Sequence, residues 1–303
     1  MADPAGTVPP VTCPVCDCRM SARRHWLWYC ATCGFLSSTL PAGPGAGVAG
    51  LESLRRANFE TLLKRLDAIL PTRGLTLLDV GCSNGLFLEA AARYGISGIG
   101  IEPEPIRVRE AQSRDVQVRS GSFPGSLHHG ETFDIVTFND VFEHLSDPGQ
   151  VLRVCEAILN PGGVLVLNLP DSAGVLYSLA STLARARIER PLRRLWQVEL
   201  PSPHVSYFNR RNLHALVASR TGLRLIHESA LRTVAAKGLR ERIGLKFWDP
   251  FSILLHTALL TLVPFQTILQ PDILLQIYKK SDEMQRAPSF GDRGQVQRSS
   301  HGG

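Results

Sequence analysis

Two glycines and two carboxylates in the first half of the chain have the types and spacing of a nucleoside-binding turn. Gly81 and Gly85 bracket a tight turn after an apolar run, and Asp79 lies near the end of that run. Because glycine has no Cβ, such a turn lets a ligand approach the backbone closely at a helix N-terminus. Glu102 follows a second apolar run, where a carboxylate can accept hydrogen bonds from ribose hydroxyls. The pattern predicts a bound nucleoside.

The glycine spacing differs from that of dinucleotide-binding turns, which follow the pattern G-x-G-x-x-G. Here the pattern is G-x-x-x-G, preceded by an aspartate. A pyrophosphate needs the additional glycine and the positive end of the helix, whereas a carboxylate at the strand end favours a cationic ligand with an amino-acid tail. The residues that we expect to contact this ligand are Asp79, Gly81, Cys82, Ser83, Asn84, Gly85 and Glu102.

Two histidines are candidates for taking a proton from an acceptor. His144 follows Glu143 after a further apolar strand, and His204 lies between prolines and aromatic residues. Imidazole titrates near neutral pH, so either side chain has the chemistry of a general base toward a hydroxyl or an acidic C–H group. The alternative for His144 is a structural hydrogen bond to backbone at the strand end.

Four cysteines near the N-terminus form two C-x2-C pairs separated by thirteen residues. Each pair can place two thiolates on one turn, and two such turns complete a tetrahedral zinc shell. Four cysteines leave no open coordination position, so the predicted site is structural. Cys18 and His25 are spare potential ligands. The predicted zinc ligands are Cys13, Cys16, Cys30 and Cys33.

The segments around these residues alternate between strand and helix patterns. Short apolar runs at 75–80, 96–101, 133–138 and 164–169 predict buried strands, and apolar residues recur at helical spacing between 51 and 70. Alternating strands and helices predict a parallel sheet that binds ligands at the carboxyl ends of its strands. We expect the first helix to cap that sheet and to close over the bound nucleoside ligand.

Changes in composition divide the chain into parts. Prolines, glycines and alanines concentrate before the first predicted helix, and the last residues are polar, with glycine and serine. Such stretches are typical of a flexible linker and of a disordered tail, respectively. The predicted parts are a zinc ribbon over 1–39, a linker over 40–50, an α/β domain over 51–284 and a tail over 285–303.

An apolar helical insertion is predicted inside the α/β domain, over about 232–269. Its segment 251–263 is apolar nearly all round but too short to span a bilayer. It is either a buried helix or a membrane-facing surface, assisted by Trp248 and by the basic residues of 237–246. The second reading predicts peripheral membrane contact through 248–269.

Length, charge and cysteine usage restrict the class of protein. The 303 residues are 44% hydrophobic, enough for one sizeable α/β domain with an accessory module. The net charge of +6 is mild, and the arginines of 185–194 form either a solvated helix face or a site for a phosphate-bearing partner. The first residues lack the pattern of a signal peptide, so we expect the seven cysteines in a reducing cytoplasm, where cysteine pairs bind metal.

Taken together, the motifs resemble those of the class I S-adenosylmethionine-dependent methyltransferases. The run L-L-D-V-G-C-x-x-G at 77–85 resembles their motif I, and Glu102 matches the acidic end of their second strand. The runs F-D-I-V, E-H-L-x-D-P and L-N-P-G-G-x-L-x-L follow in the family's order, and P-S-P-H-V-S-Y-F at 201–208 is similar to a segment that walls the substrate pocket in the small-molecule branch. The resemblance covers roughly residues 75–285.

This resemblance implies a Rossmann-like, seven-stranded α/β sheet with helices on both faces, joined to the small N-terminal zinc ribbon. It implies S-adenosylmethionine as cofactor, beside a structural Zn²⁺. Ser122 stands where the family often has an acidic residue against the adenine ring. The further cofactor contacts that the resemblance implies are Pro103, Ser122, Asn139 and Asp140.

The predicted function is methyl transfer from S-adenosylmethionine to an oxygen or carbon of a small-molecule, sugar or lipid-like acceptor. The four-cysteine module is similar to that of sugar C-methyltransferases, and also to that of ribosomal RNA guanine methyltransferases. One alternative is therefore an RNA methyltransferase whose ribbon docks RNA through Trp26 and Trp28. The other is a non-catalytic cofactor-binding protein with the ribbon as an interaction module. No N-P-P-Y run follows the fourth strand, which counts against methylation of adenine amines or glutamine amides.

Overall fold

The computed structural model describes residues 12–41, 51–234, 236–243, 249–262 and 271–282. The strands in chain order are β1 (Ser21–Arg24), β2 (Leu27–Tyr29), β3 (Leu36–Ser38), β4 (Thr76–Val80), β5 (Ser97–Glu102), β6 (Gln117–Ser120), β7 (Phe133–Asn139), β8 (Leu159–Pro170), β9 (Ser206–Tyr207), β10 (Arg224–Ala230) and β11 (Ile273–Lys279). The α-helices are α1 (Glu52–Ile69), α2 (Leu86–Ala92), α3 (Pro105–Gln112), α4 (Pro148–Ile158), α5 (Val175–Arg185), α6 (Arg190–Leu195), α7 (Arg210–Arg220), α8 (Leu239–Ile243) and α9 (Pro250–Leu262).

Seven strands form the central sheet, in the order β10-β11-β8-β7-β4-β5-β6. Five neighbouring strands are parallel: β8, β7, β4, β5 and β6. Strand β11 pairs antiparallel with β8 and with the edge strand β10. Successive side chains of a strand point to opposite faces, and β7 shows this clearly. Its Ile135 belongs to one buried apolar cluster, whereas Val136 and Phe138 belong to another. The predicted seven-stranded α/β fold is confirmed.

The order in which strands are added to the sheet reverses at β4, which is paired with β5 on one side and with β7 on the other. Such a switch point opens a crevice at the carboxyl ends of the strands. Helix α1 packs beside this edge, with the Phe59 and Phe87 ring centroids 5.1 Å apart. Its Arg55 reaches Asp140, whose carboxylate oxygen lies 3.6 Å from the guanidinium Nε. Helix α1 therefore packs against α2 and reaches the residue that follows β7 at this edge.

The N-terminal cysteine segment is docked on the larger domain. Strands β1 to β3 continue into β9 of that domain as one four-stranded antiparallel sheet. Trp26 is 3% exposed and packs edge-on against Trp196, with ring centroids 5.6 Å apart. The predicted linker residues 42–50 and the tail 285–303 lie outside the described residues, so the domain boundaries remain predictions.

The predicted apolar insertion contains α8 and α9, while Trp248 and residues 263–269 lie outside the described part of the chain. Leu259 and Leu260 of α9 pack with Val234 and Leu239, which gives this helix one buried side. Ile253 and Leu254 are 42% and 68% exposed. Among the described helices, none combines the length and apolarity needed to cross a bilayer.

Candidate active site

Asp79 lies near the carboxyl end of β4 and is almost completely buried, at 2% exposure. Its Oδ1 accepts hydrogen bonds from Thr137 Oγ1 (2.7 Å) and Asn139 Nδ2 (3.1 Å), both on the neighbouring β7. Burial raises the pKa of Asp79 to about 7, and the two hydrogen bonds oppose that rise. The carboxyl group is therefore held in place, and its charge responds to pH near neutrality.

Glu102 ends β5 and ties the glycine turn to that strand. Its two carboxylate oxygens accept hydrogen bonds from the backbone N–H groups of Ser83 and Glu104, each at 2.9 Å. Burial raises the pKa of Glu102, although both N–H groups favour the ionised form. Each oxygen retains a further acceptor direction, so the carboxylate can still receive the two hydroxyls of a ribose.

The glycine turn is tight, and two of its residues must be glycine. Gly81 and Gly85 have φ values of +68° and +77°, in the left-handed region. A Cβ on Gly81 would lie 2.5 Å from Val141 Cγ2, and one on Gly85 would lie 2.6 Å from Val116 Cγ2. The N–H groups of Gly81 and Cys82 both donate to the Ile101 carbonyl. The fold of the turn itself therefore requires glycine at both positions, by backbone conformation and by packing.

Asn168 is a polar group of this edge that the sequence reasoning missed. It lies on β8 opposite Asn139, and its Nδ2 is 3.4 Å from Asn139 Oδ1. Its own Oδ1 is buried and accepts no hydrogen bond from the described residues. An uncompensated buried acceptor is costly, so Asn168 fits a site for a cationic donor. The signal in the sequence was one asparagine within the apolar run 164–169.

The remaining predicted cofactor residues surround the same edge. Asn84 follows Ser83 in the turn, and Pro103 follows Glu102; all of them are partly or largely buried. Asp140 has φ +55° directly after β7 and faces Arg55. Ser122 follows β6 and is exposed. The structure thus places these residues after the carboxyl ends of β4, β5, β6 and β7.

The two predicted histidines come together around a buried glutamate. Glu143 Oε1 lies 4.0 Å from His144 Nε2 and 3.9 Å from His204 Nε2. The imidazole centroids are 4.8 Å apart, almost edge to face. Glu143 and His144 lie on the short 3₁₀ helix Phe142–His144, and His204 lies in the segment before β9. The structure therefore brings residues sixty positions apart into one cluster.

The hydrogen bonds of this cluster separate the roles of the two imidazoles. His144 Nδ1 donates to the Pro203 carbonyl at 2.9 Å, so in the neutral ring the lone pair lies on Nε2. His204 Nε2 lies 2.8 Å from the Gln197 amide nitrogen and accepts its hydrogen bond. The His144 side chain is 18% exposed, against 5% for His204. His144 thus keeps Nε2 as its acceptor atom and has the more exposed side chain, whereas the acceptor nitrogen of His204 is engaged by Gln197.

Burial controls the charge of the cluster. The Glu143 carboxylate is 1% exposed, and neither oxygen accepts a hydrogen bond from the described residues. Burial, together with the charge of Asp140, raises the pKa of Glu143 well above its ordinary value. Burial also lowers the pKa of His144, and it lowers that of His204 further. Both imidazoles are therefore neutral at neutral pH, as a proton acceptor must be.

The four predicted zinc ligands of the ribbon come together in one cluster. Cys13 Sγ lies 3.5 Å from Cys33 Sγ, and Cys16 Sγ lies 3.4 Å from Cys30 Sγ. All four sulfur atoms lie within 4.8 Å of one another. Zn–S bonds of about 2.3 Å in a tetrahedron separate the sulfurs by about 3.8 Å, so the cluster fits a zinc ion. Cys18 and His25 are not part of this cluster.

Comparison with known proteins places the chain in a family. A family described as "Methyltransferase domain" matches residues 52–228, more than half of the chain. Ubiquinone biosynthesis O-methyltransferase of Caulobacter vibrioides is 37% identical over 117 residues, which are 35% of this chain and 46% of that protein. The enzyme of the same name from Azorhizobium caulinodans is 33% identical over 119 residues, 37% of this chain and 47% of that protein. The chain spans about half the length of these curated relatives.

Solved structures show the same fold at low sequence identity. The chain aligns with a TM-score of 0.57 and 17% identity to a chain of the complex between the Trm112 methyltransferase activator and a methyltransferase of Haloferax volcanii, covering 78% of this chain and 94% of that one. Magnesium protoporphyrin IX methyltransferase of Synechocystis, solved with bound S-adenosylhomocysteine, aligns with a TM-score of 0.52 and 12% identity, covering 77% and 86%. The chain therefore belongs to the methyltransferase-domain family and has the fold of the class I S-adenosylmethionine-dependent methyltransferases.

Proposed function

We propose that this protein transfers a methyl group from S-adenosylmethionine to a hydroxyl oxygen of a small molecule. The observation that carries the proposal is the pairing, at one sheet edge, of a nucleoside-type site around Glu102 with a neutral, buried imidazole cluster around Glu143. The first site suits a ribose, and the second suits an acceptor that must lose a proton. Curated relatives named O-methyltransferases favour oxygen over carbon as the nucleophile.

The cofactor would be held by the groups at the ends of β4 and β5. S-adenosylmethionine, when bound, supplies the electrophilic methyl group. Glu102 would accept the ribose hydroxyls, and Gly81 and Gly85 would leave room for close backbone approach. Asp79 and Asn168 offer oxygen acceptors to the cationic amino group. The contribution of the chain is alignment of the reactants and exclusion of water.

Among the two histidines, the contacts favour His144 as the base. Its Nδ1 is engaged by the Pro203 carbonyl, so Nε2 is the atom that would accept the acceptor's hydroxyl proton. His204 is more buried, and Gln197 already donates to its Nε2. We therefore assign His204 to the wall of the acceptor site, where it limits the position of His144.

The ribbon contacts argue against the RNA-methyltransferase alternative. A stacking platform for RNA needs exposed aromatic faces. Trp26 is buried against Trp196, and Trp28 packs with the core around the cysteine loops. Steep salt dependence of RNA binding would restore that alternative. Cofactor binding without methyl transfer to any acceptor would favour the non-catalytic alternative.

We propose that the ribbon holds one structural zinc ion through Cys13, Cys16, Cys30 and Cys33. Elemental analysis of protein purified without chelators should find one zinc per chain. Protein with Cys13→Ser and Cys30→Ser should lose it, since two ligands then remain. Cys155→Ser, at a buried cysteine that is not part of the four-sulfur cluster, is the control and should keep the metal. Wild-type protein free of zinc would reject this site.

A lipid-like acceptor would be met at a membrane surface, and α9 has side chains for that contact. Ile253 and Leu254 expose apolar surface on this helix, and Leu179 of α5 is 52% exposed. Apolar side chains of this kind bury themselves in the headgroup region of a bilayer. Co-sedimentation with vesicles of phosphatidylglycerol should decrease for Leu254→Glu. Equal sedimentation of both proteins would exclude this contact.

The deciding experiment follows radiolabelled methyl groups. Protein is incubated with S-adenosyl[methyl-³H]methionine and separate acceptors: a soluble diphenol, a prenylated diphenol, a nucleotide sugar and total RNA. We expect label on a diphenol oxygen in wild-type protein, and none in the Gly81→Val variant, whose side chain would collide with Val141. Label on RNA, or on carbon, would replace the proposal with the corresponding alternative.

A further inference from the structure

The sheet that joins the ribbon to the larger domain ends beside the imidazole cluster. In it, Leu36 of β3 is paired with Tyr207 of β9, and Ser37 is paired with Ser206. Strand β9 begins two residues after His204. The backbone that carries this histidine is thus continuous with a strand whose neighbour belongs to the cysteine ribbon.

One ribbon residue, Ser38, holds two consecutive carbonyl groups of the histidine segment. Its Oγ donates to the His204 carbonyl at 2.9 Å. Its backbone N–H donates to the Val205 carbonyl, also at 2.9 Å. The Ser37 hydroxyl adds a longer bond of 3.3 Å to the Val205 carbonyl. The position of the His204 backbone on this side is therefore set by the ribbon.

The opposite side of the same segment is bonded to Glu143. The Val205 N–H donates to the Glu143 carbonyl at 3.0 Å, and Ser206 Oγ donates to the same carbonyl at 3.3 Å. The Val205 peptide thus lies between Ser38 and Glu143. Since Glu143 and His144 are consecutive, a shift of the ribbon strand would alter the spacing of all three groups of the cluster.

The cysteine loops themselves are also fixed to the larger domain. Asn212 Nδ2 donates to the Cys33 carbonyl at 3.3 Å, and Arg220 donates to the Pro14 carbonyl at 3.0 Å. The Phe35 ring packs on Phe208, with centroids 5.0 Å apart. A module of about 30 residues cannot bury enough surface to fold alone, so its shape depends on the metal.

We propose that the ribbon is a positioning element of the acceptor site, in which Ser38 sets the place of His204 relative to Glu143 and His144. This inference rests on the proposed methyl transfer and adds a role for the ribbon in it. The competing view is that the ribbon is an independent module, for which the contacts with β9 are incidental to catalysis.

Three variants of the full chain separate these views. Ser38→Ala removes the hydroxyl bond to the His204 carbonyl and a longer one, of 3.4 Å, from the Leu40 N–H. Ser38→Thr restores a hydroxyl with a side chain that suits a strand. Ser21→Ala is the matched control, because the Ser21 hydroxyl also donates to a carbonyl of this sheet, that of Tyr29 at 3.3 Å, but on the outer strand β1. All three should bind S-adenosylhomocysteine with wild-type affinity.

The first readout is hydrogen exchange of the Val205 amide, which can be measured without a methyl acceptor. Loss of the 2.9 Å bond to the His204 carbonyl, worth about 1 kcal/mol, should speed local exchange about 5-fold in Ser38→Ala. Ser21→Ala and Ser38→Thr should exchange like the wild type. The second readout is methyl transfer, where kcat should fall about 5-fold in Ser38→Ala with an unchanged KM for the cofactor, and recover in Ser38→Thr.

Zinc removal provides a larger perturbation of the same contact. After chelation, amides of 36–38 and of 205–207 should lose protection together, while cofactor affinity stays within a few fold. Persistent protection of 205–207 beside an unprotected ribbon would overturn the proposal, as would equal Val205 exchange in Ser38→Ala and Ser21→Ala. If the wild-type chain methylates no acceptor, the proposed function fails, but the exchange comparison still decides whether the ribbon positions His204.

Discussion

The cofactor side and the acceptor side of this sheet edge differ in how their buried carboxylates are paired. Asp79 and Glu102 each accept two hydrogen bonds from the fold itself. Glu143 is buried as deeply and accepts none from the described residues. An internally paired carboxylate is held ready for its ligand, whereas an unpaired one is a cost that a ligand or proton must offset. The proposed cofactor side is therefore held by internal hydrogen bonds, whereas Glu143 on the proposed acceptor side needs a proton or a ligand to offset its burial.

The largest expected effect lies on the acceptor side, at the proposed base. His144→Gln should lower kcat by about 10²–10⁴-fold while S-adenosylhomocysteine affinity changes little, because general-base catalysis contributes on that order. His128→Gln is the control, since that side chain is 70% exposed and pairs with Glu131. Full activity of the His144 variant would leave catalysis to alignment alone.

The pH dependence of kcat tests the same residue. The base must be neutral, and burial lowers the pKa of His144 below its ordinary value of 6.5. Glu143, His204, Asp140 and Arg55 are the titratable or charged groups that surround this ring. Activity should therefore exceed half of its maximum at pH 6.5, and the midpoint of its acid limb should lie below that pH. An acid limb centred above pH 6.5 would contradict this environment.

The second effect lies on the cofactor side, at the ribose acceptor. Glu102→Ala should weaken S-adenosylhomocysteine binding by about 1.5–3 kcal/mol, or about 10- to 150-fold, because hydrogen bonds to a charged group are lost. Glu110→Ala is a matched control, since its carboxylate pairs with Arg107 on the surface of α3. Unchanged affinity in calorimetry of the Glu102 variant would remove this residue from the site.

The same comparison explains what the sequence could predict. Asp79, the glycine turn and Glu102 lie on consecutive segments, and local strand and turn patterns fix where they meet. His144 and His204 were visible as reactive residue types, whereas Glu143 was noted only as the neighbour of His144. The bonds that join the three cross from the 3₁₀ helix to β9 and the segment before it. The docking of the ribbon depended on the pairing of β3 with β9, a two-residue strand with no periodic signal. Asn168 was hidden because an apolar run predicts burial without showing which atoms lack partners.

A third prediction concerns Asp79, whose pKa of about 7 reflects burial in the ligand-free protein. Its ionised form attracts the cationic S-adenosylmethionine. The affinity for this ligand should therefore fall below pH 7, by at most about tenfold per pH unit, and should be constant above pH 7. Glu102, Thr137 and Asn139 are the groups that tune this carboxyl. Asp79→Asn should bind weakly with a flat profile. Calorimetry from pH 5.5 to 8.5 measures both proteins.

The free energy of unfolding should change with pH in the direction opposite to the cofactor affinity. The folded state of the ligand-free protein holds the Asp79 proton up to about pH 7, whereas the unfolded chain releases it near the ordinary aspartate pKa of 3.8. The contribution of this group to the free energy of unfolding therefore decreases as pH rises between those values. In Asp79→Asn this decrease should be absent. A stability profile identical in both proteins would show that Asp79 is not titrating near neutrality.

The smallest effect is expected at Ser122, which is exposed after β6 and stands where the family often has an acidic residue. If its hydroxyl accepts a hydrogen bond from the adenine amino group, Ser122→Ala should cost about 0.5–1.5 kcal/mol of affinity, or about 2- to 13-fold, and Ser122→Asp should bind more tightly than the wild type. S-inosylhomocysteine has no such amino group, so its affinity should be the same for wild type and Ser122→Ala. Ser113→Ala, which loses a surface hydroxyl bond to the Glu110 carbonyl, is the control. Equal losses for the adenosyl and inosyl ligands would show that Ser122 contacts some other part of the nucleoside, and would exclude its hydroxyl as the acceptor of the adenine amino group.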